Sequence, residues 1–184
     1  MRDRIKKIIT EHLKAVQTLQ RDTAVIETIV KRIRASLAAG GKLLICGNGG
    51  SAADAQHMAA EFVGRFKKKR APLAALSLST DTSIITSVGN DFGFTHIFAN
   101  QVKALGKKED ILIVLSTSGN SANIIAAVRA AKKIKMATVG ILGKGGGRLK
   151  KLVDLTLVAR SSQTPRIQEI HALVIHTICE LSEL

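Results

Sequence analysis

Five short apolar runs recur along this chain, and helical stretches such as Ser51–Arg65 and Ser121–Lys135 lie between most of them. The runs are Lys42–Cys46, Leu73–Leu78, Ile111–Leu115, Ala137–Leu142 and Leu155–Ala159. Runs that are almost wholly apolar are typical of parallel strands that are covered on both faces. Because strands and helices alternate, the pattern predicts right-handed crossovers and a three-layer α/β domain.

Segments with helical periodicity precede the first of these strands and follow the last one. Apolar residues recur with a helical period over Ile5–Leu19, and a second such stretch runs from the capping pair Asp22–Thr23 to Gly40. These two helices either cover the sheet or pair with copies of themselves in an oligomer, and the pattern favours neither. The final segment, Pro165–Leu184, is predicted as a long helix with Thr164 as its N-cap.

The length of 184 residues suits one domain with a full core. We therefore predict a single domain over residues 1–184, with a helical segment at 1–40 and an α/β core at 41–184. No apolar run approaches the ~20 residues that a membrane-spanning helix needs. Cys46 and Cys179 lack metal or redox spacing, so we expect buried thiols in a reducing cytoplasm.

The net charge of +14 predicts an attraction to anions. The basic residues are scattered, however, and the one dense cluster, Lys67–Arg70, is interpreted as solvated surface. Aromatic residues are scarce and neither Trp nor Tyr occurs. Proteins that bind single-stranded nucleic acid stack bases on aromatic rings, so nucleic acid is an unlikely partner.

The stretch Cys46–Phe62, C-G-N-G-G-S-A-A-D-A-Q-H-M-A-A-E-F, carries the first functional signal. Gly47, Gly49 and Gly50 allow a sharp turn after the first strand. Ser51 is a suitable N-cap for the alanine-rich helix that follows. A strand, a glycine turn and a helix start together aim backbone N–H groups at an anion.

A second loop of this kind follows the third strand, with the sequence S-T-S-G-N-S at Ser116–Ser121. Its hydroxyls and the helix start behind it supply donors and a dipole that suit a phosphate dianion. Neither loop is a Walker P-loop, because G-K-[ST] is absent. The first loop does not complete a Rossmann fingerprint either, so a nucleotide is not indicated.

Side chains suited to proton transfer or metal binding lie on two helical stretches. His57 and Glu61 are four residues apart, so they share a helix face just beyond the glycine loop. The last helix carries Gln168, His171 and His176. His57, Glu61 and one or two of these residues match the ligand types that zinc accepts, and spacing alone does not choose among them.

Asn90 and Asp91 lie in G-N-D-F-G, a stretch that follows the second strand. Their side chains could bind sugar hydroxyls. The same pair is also typical of a simple turn. We therefore keep both interpretations of this pair.

These motifs, with T-D-T-S and R-I-Q-E-I-H followed by His176, resemble the bacterial phosphoheptose isomerases, enzymes of the sugar-isomerase (SIS) domain family. The resemblance covers nearly the whole chain. It implies a five-stranded parallel sheet in an αβα sandwich, with N-terminal helices that support a homotetramer. It also implies a phosphosugar isomerase, an intramolecular oxidoreductase that converts sedoheptulose 7-phosphate into D-glycero-D-manno-heptose 7-phosphate for lipopolysaccharide heptose.

Carried over residue by residue, the family pattern assigns one zinc ion per subunit to His57, Glu61, Gln168 and His176. It assigns substrate binding to Asn48, Gly49, Gly50, Glu61, Asn90, Asp91, Ser116, Thr117, Ser118, Ser121 and Gln168. An aldose–ketose isomerisation through an enediol requires an acid and a base, and we assign these roles to Glu61 and His176.

The alternative is a non-catalytic adaptor of the same fold, which binds the replication initiator protein. Adaptors of that group lack counterparts of Glu61 and His176. This chain has both residues, which favours the isomerase.

Overall fold

The computed structural model describes residues 1–183 of the chain. Seven α-helices are present in this range: α1 Arg2–Leu19, α2 Thr23–Ala38, α3 Gly50–Val63, α4 Thr82–Phe92, α5 Ile97–Leu105, α6 Ala122–Lys133 and α7 Thr164–Ser182. Five strands accompany them: β1 Leu43–Cys46, β2 Ala75–Ser77, β3 Ile111–Ser116, β4 Ala137–Leu142 and β5 Leu155–Val158. Each predicted strand is therefore present, within one or two residues of its predicted ends.

All neighbouring strands pair in parallel, in the order β2-β1-β3-β4-β5. This confirms the predicted α/β class with a five-stranded parallel sheet. Alternate residues of β1 enter two different cores, since Leu43 and Ile45 lie in one cluster and Leu44 and Cys46 lie in the other. Both faces of the sheet are thus covered, which explains why the strands read as continuous apolar runs.

One face of the sheet is covered by α2, α3 and α7, and the other by α5 and α6. From α2, the side chains of Ile26, Ile29 and Ile33 are buried in the first of these cores. Helix α1 differs, because Ala15 is its one buried residue. Of the two N-terminal helices, α2 therefore covers the sheet, whereas α1 leaves an apolar face exposed.

Two predicted helix caps differ from the observed ones, and a third is at the predicted residue but makes no side-chain capping bond. The N-cap of α3 is Gly49, and Ser51 is buried in the first turn. The N-cap of α7 is Gln163, so Thr164 is already helical and Pro165 lies within the first turn. Asp22 is the N-cap residue of α2, as predicted, but its carboxylate pairs with Arg160 and makes no bond to the helix N–H groups.

Candidate active site

The order of the strands places the candidate loops at one crevice. The chain moves from β1 to β2 on one side and returns to β3 on the other side of β1. Loops that follow two such strands diverge beyond their carboxyl ends, where ligands of open α/β sheets bind. The glycine loop after β1 and the hydroxyl loop after β3 flank this crevice.

Two asparagine amides join these loops. Asn48 Nδ2 donates to Asn123 Oδ1 at 3.0 Å, and Asn123 Nδ2 donates back to Asn48 Oδ1 at 2.8 Å. Asn123 is buried in the first turn of α6 and also accepts a bond from the N–H of Ile124. The pair therefore holds the glycine loop against the start of the helix that follows the hydroxyl loop.

The hydroxyl loop is held in a fixed shape by its own bonds. Ser116 Oγ accepts from the N–H of Gly119 at 3.1 Å and lies 3.5 Å from Ser121 Oγ. Gly119 has a φ of 65°, and a β-carbon there would lie 2.1 Å from the carbonyl oxygen of Gly146, so no larger residue fits. Ser121 is the N-cap of α6, but its hydroxyl makes no capping bond, so it can donate to a bound anion.

The two remaining members of this loop are half-buried. Ser118 Oγ accepts from the N–H of Asn120 at 3.2 Å, and Thr117 lies between the two serines. The loop therefore offers hydroxyls at the start of a 12-residue helix, an arrangement that suits a phosphate.

His57, Glu61 and His176 form one cluster. His57 Nε2 lies 3.0 Å from Glu61 Oε1 on the exposed side of α3. His176 on α7 brings its Nε2 to 3.4 Å from His57 Nε2, and the two rings meet edge to face with centroids 5.0 Å apart. Residues 119 positions apart in the chain thus contact one another, as the ligand set implied by the family resemblance requires.

Two further residues border this cluster. The Phe66 ring stacks on His176, with centroids 5.4 Å apart and planes 29° apart. Asp54 lies one turn before His57, and its Oδ2 is buried without a hydrogen-bond partner. Burial raises the pKa of the Asp54 carboxyl, while the nearby His57 opposes this effect.

Gln168 contacts the glycine loop. A β-carbon on Gly50 would lie 2.2 Å from Gln168 Nε2, so the amide packs directly on Gly50. Gly50 precedes His57 by seven residues, about 10 Å along the axis of α3. Within residues 1–183, no hydrogen bond joins Gln168 to His57, Glu61 or His176.

His171, the competing candidate on α7, is a core residue. Its side chain is 0% exposed, and neither ring nitrogen has a hydrogen-bond partner of normal geometry in the described part of the chain. Burial lowers the pKa of the His171 imidazole, and the nearby carbonyl of Leu142 opposes this with a smaller effect.

Asn90 and Asp91 lie in the last turn of α4, not in a free turn. Both are exposed, and Asn90 Nδ2 donates to Asp91 Oδ1 at 2.8 Å. Among residues 1–183, neither side chain bonds to the other candidates. Asp81 caps the start of the same helix, since its Oδ1 accepts from the N–H of Ile84 at 2.9 Å.

Comparison with known proteins decides the family. The family model described as "SIS domain" matches residues 7–143. Phosphoheptose isomerase 1 of Campylobacter jejuni is 49% identical over 177 residues, covering 96% of this chain and 95% of the relative. The chain belongs to the phosphoheptose isomerases of the SIS domain family.

Solved structures of phosphoheptose isomerases agree with this family. The enzyme from Neisseria gonorrhoeae superimposes with a TM-score of 0.94 at 40% identity, covering 100% of this chain and 99% of that one. The enzyme from Francisella tularensis gives a TM-score of 0.95 at 37% identity, covering 98% and 96%. The comparisons do not support the adaptor alternative. No helix of the described residues is long and apolar enough to cross a membrane.

The donor atoms of the His57, Glu61 and His176 cluster match zinc in their spacing. Two donors of a tetrahedral zinc ion with bonds of 2.0–2.1 Å lie about 3.3 Å apart. The His57–His176 and His57–Glu61 separations of 3.4 and 3.0 Å match this spacing. However, no three His, Cys, Asp or Glu residues within 1–183 are arranged as a ready metal site. The donors thus fit zinc in kind and in pairwise spacing, while Gln168 packs on the glycine loop.

Sequence reasoning missed Asn123, Phe66 and Asp54. Asp54 had a local signal, because D-x-x-H-x-x-x-E places it one turn before His57 on the same face. Asn123 and Phe66 had none, since their partners Asn48 and His176 lie 75 and 110 positions away in the chain.

Proposed function

We propose that this phosphoheptose isomerase converts sedoheptulose 7-phosphate into D-glycero-D-manno-heptose 7-phosphate. The observation that carries the proposal is the contact between the His57–Glu61 pair on α3 and His176 on α7. A carboxylate and an imidazole on separate helices, beside a crevice with a hydroxyl-rich loop, suit proton transfer on a phosphorylated sugar.

The reaction moves two hydrogens. A base removes a proton from C1, the electron pair forms the C1–C2 double bond, and the carbonyl oxygen at C2 takes up a proton. The resulting enediol then loses the proton of its C1 hydroxyl and gains a proton at C2, which gives the aldose. One group can remove the first proton and another can protonate oxygen, and we assign these roles to Glu61 and His176.

The hydrogen bond between His57 and Glu61 bears on which group acts as base. Glu61 Oε1 already lies 3.0 Å from His57, so this oxygen is held in place while the other carboxylate oxygen is available. His57 thereby orients the carboxylate along α3. His176, held between the rings of His57 and Phe66, presents its imidazole from the opposite helix.

The hydroxyl loop is proposed to hold the phosphate far from the reacting carbons. Ser121 Oγ makes a long contact of 3.5 Å with Ser116 Oγ, and Ser116 and Ser118 accept backbone N–H groups, so the hydroxyl protons of this loop can turn toward a phosphate. Binding energy at this distant group holds C1 and C2 in line with the proton-transfer groups. Asn48, the glycine loop and Gln168 would then face the middle of the sugar, with Asn90 and Asp91 as further candidates.

Zinc is the proposed cofactor, with His57, Glu61 and His176 as donors and Gln168 as the family-implied fourth. A bound zinc ion supplies Lewis acidity, which polarises a carbonyl and favours loss of the neighbouring proton.

Self-association, with a homotetramer as the family-implied state, is supported by exposed apolar side chains. Four residues of α1 are between 43% and 55% exposed: Ile5, Ile8, Ile9 and Leu13. Phe92 and Phe94 are 63% and 61% exposed. Light scattering would test the state, and Leu13→Glu should lower the mass if α1 forms the contact. Gln17→Glu adds the same charge to an exposed position of α1 and serves as the control.

A cytoplasmic location is supported by the two cysteines. Cys46 and Cys179 are both buried and free. Burial raises the pKa of the Cys179 thiol to about 12, so it stays protonated and unreactive.

The heptose phosphate that the proposed reaction forms would supply the heptose of surface glycans.

Incubation with sedoheptulose 7-phosphate, followed by NMR for the aldose product, tests the proposal. Turnover that saturates with substrate is the expected result. Saturable binding without turnover, with and without added zinc, would indicate a regulatory sugar-phosphate module. If the protein neither bound the sugar phosphate nor turned it over, a sugar-phosphate function would be rejected.

A further inference from the structure

The carboxylate of Glu183, at the end of α7, lies in a nest of backbone N–H groups. Its side chain is 1% exposed. It accepts from the N–H groups of Phe66, Lys67 and Lys68 at 2.8, 2.8 and 2.9 Å, and from Arg70 Nε at 3.2 Å. A buried carboxylate is stable only with such partners. Burial by itself raises the Glu183 pKa, but these donors together lower the pKa to about 2.

The Arg70 guanidinium continues this network to α3. Nη1 donates to the carbonyl of Phe62 at 2.9 Å, and Nη2 donates to the carbonyl of Glu61 at 2.8 Å. These carbonyls belong to the last turn of α3, where carbonyl oxygens have no N–H partner within the helix. With a side chain only 15% exposed, Arg70 therefore ties the end of α3 to Glu183 on α7.

This finding corrects the interpretation of Lys67–Arg70 as solvated surface. Lys67, Lys68 and Lys69 are exposed, and the Lys67–Glu180 ion pair joins two side chains that are 60% and 50% exposed. Such a pair contributes little to stability. Arg70 is different, because its guanidinium is largely buried and donates to the Glu183 carboxylate and to carbonyls at the end of α3. The basic run thus contains three solvated residues and one structural residue.

Phe66 connects this network to the candidate active site. Its N–H is one of the donors to Glu183, and its ring stacks on His176. Glu183 follows His176 by seven residues, two turns along the same face of α7. The bond to Glu183 therefore fixes the backbone from which the Phe66 ring reaches His176, and Arg70 fixes the backbone of Glu61.

We propose that the Arg70–Glu183 pair and Phe66 are positioning residues for the isomerase reaction. The pair holds α3 and α7 at a set separation, and Phe66 holds the His176 imidazole toward His57 and Glu61. The three residues are proposed to act through Glu61 and His176 and not by touching the reacting carbons. The proposal rests on the proposed function, because it concerns how Glu61 and His176 are held for proton transfer.

Four variants test the proposal. Phe66→Leu removes the ring but keeps the backbone bond to Glu183, and Phe66→Tyr restores an aromatic ring. Glu183→Gln keeps the shape of the side chain but removes its charge. Lys69→Ala is the matched control, since it changes an exposed residue of the same segment.

Two readouts separate positioning from mere stability. We expect Phe66→Leu to lower kcat roughly 10- to 100-fold, the cost of a small misplacement of reacting groups. We expect KM to change less than about twofold, Phe66→Tyr to recover most of kcat, and Lys69→Ala to match the wild type. Proton–carbon NMR of histidine Cε1, with the His176 signal assigned by its loss in His176→Gln, should show that signal shifted in Glu183→Gln, which keeps the Phe66 ring and its ring current.

An unchanged kcat in folded Phe66→Leu, or an unchanged His176 signal in folded Glu183→Gln, would overturn the proposal. If Glu183→Gln does not fold, the Phe66 variants still decide the matter. The NMR readout also stands without turnover. If the wild type were inactive and Glu183→Gln still shifted the His176 signal, the proposed function would be rejected and the packing role supported. If the wild type were active and Glu183→Gln left the signal unshifted, the proposed function would be supported and the packing role rejected.

Discussion

A β-carbon on Gly50 would lie 2.2 Å from the side-chain nitrogen of Gln168, so the first residue of α3 and the first turns of α7 are in direct contact. This contact places the glutamine amide at the glycine loop, near the middle of the crevice. Because the cluster of His57 and His176 lies farther along both helices, Gln168 is placed to contact the middle of the sugar, while His176 lies with His57 and Glu61 at the proposed site of proton transfer.

Gly50→Ala should therefore impair activity without unfolding the protein. Gly50 does not have a positive φ, so alanine suits its backbone. The clash falls on the end of a flexible side chain, which can move, so we expect the free energy of unfolding to change by less than about 1 kcal/mol. The displaced amide should raise KM or lower kcat in the isomerase assay.

Gly89→Ala is the control for this prediction. A β-carbon on Gly89 would lie 3.8 Å from its nearest neighbour, an ordinary contact, and this glycine is also helical. Wild-type kinetics in Gly50→Ala would show that the Gln168 amide plays no part in the reaction.

Glu61→Gln should fold normally and lose at least about 100-fold in turnover, the usual contribution of a general acid or base. The amide retains the shape of the side chain and can still bond to His57, so the helix is not disturbed. Circular dichroism would confirm the fold, and product formation would be followed by NMR. Activity close to that of the wild type would remove Glu61 from the mechanism.

Ser121→Ala should weaken substrate binding by about 0.5–3 kcal/mol, the range for a lost hydrogen bond to a charged group. Since the Ser121 hydroxyl makes no capping bond in α6, thermal stability should barely change. Calorimetric titration with the sugar phosphate would measure the effect. Ser87→Ala, at an exposed helical position away from both loops, is the control, and equal affinities in the two variants would argue against a phosphate at Ser121.

The sequence predicted the strands because their burial on both faces leaves a continuous apolar run. It did not predict α5, whose N-cap, His96, makes no side-chain capping bond. Strand β2 is shorter than predicted because it pairs with β1 alone at the edge of the sheet. Helix starts were the least certain, as the shift from Ser51 to Gly49 shows.

For the site, local spacing was informative and long-range contacts were not. The His57–Glu61 pair follows from four-residue spacing on a helix, whereas the choice of His176 over His171 depended on the family resemblance. The structure supplies the physical reason: His171 faces the core and His176 faces α3. The bonds of Asn123 to Asn48 and of Glu183 to the 66–68 backbone join residues 75 to 117 positions apart, and no sequence period records such contacts.

The stability of the protein should depend on pH through His171. Its pKa in the folded protein is lowered from 6.5 by burial, so the native ring stays neutral while the unfolded chain takes up a proton. Stability from this residue is therefore complete above about pH 6.5 and is lost as the pH falls below that value, by at most about 1.4 kcal/mol for each pH unit. His171→Leu should remove this dependence, so the variant should gain stability relative to the wild type between pH 7 and pH 5. Since the chain has neither Trp nor Tyr, urea unfolding would be followed by far-ultraviolet circular dichroism. His96→Gln, at an exposed position, controls for the loss of a histidine. If the His171→Leu and wild-type curves remained parallel over this pH range, burial of the neutral ring would not contribute to acid sensitivity.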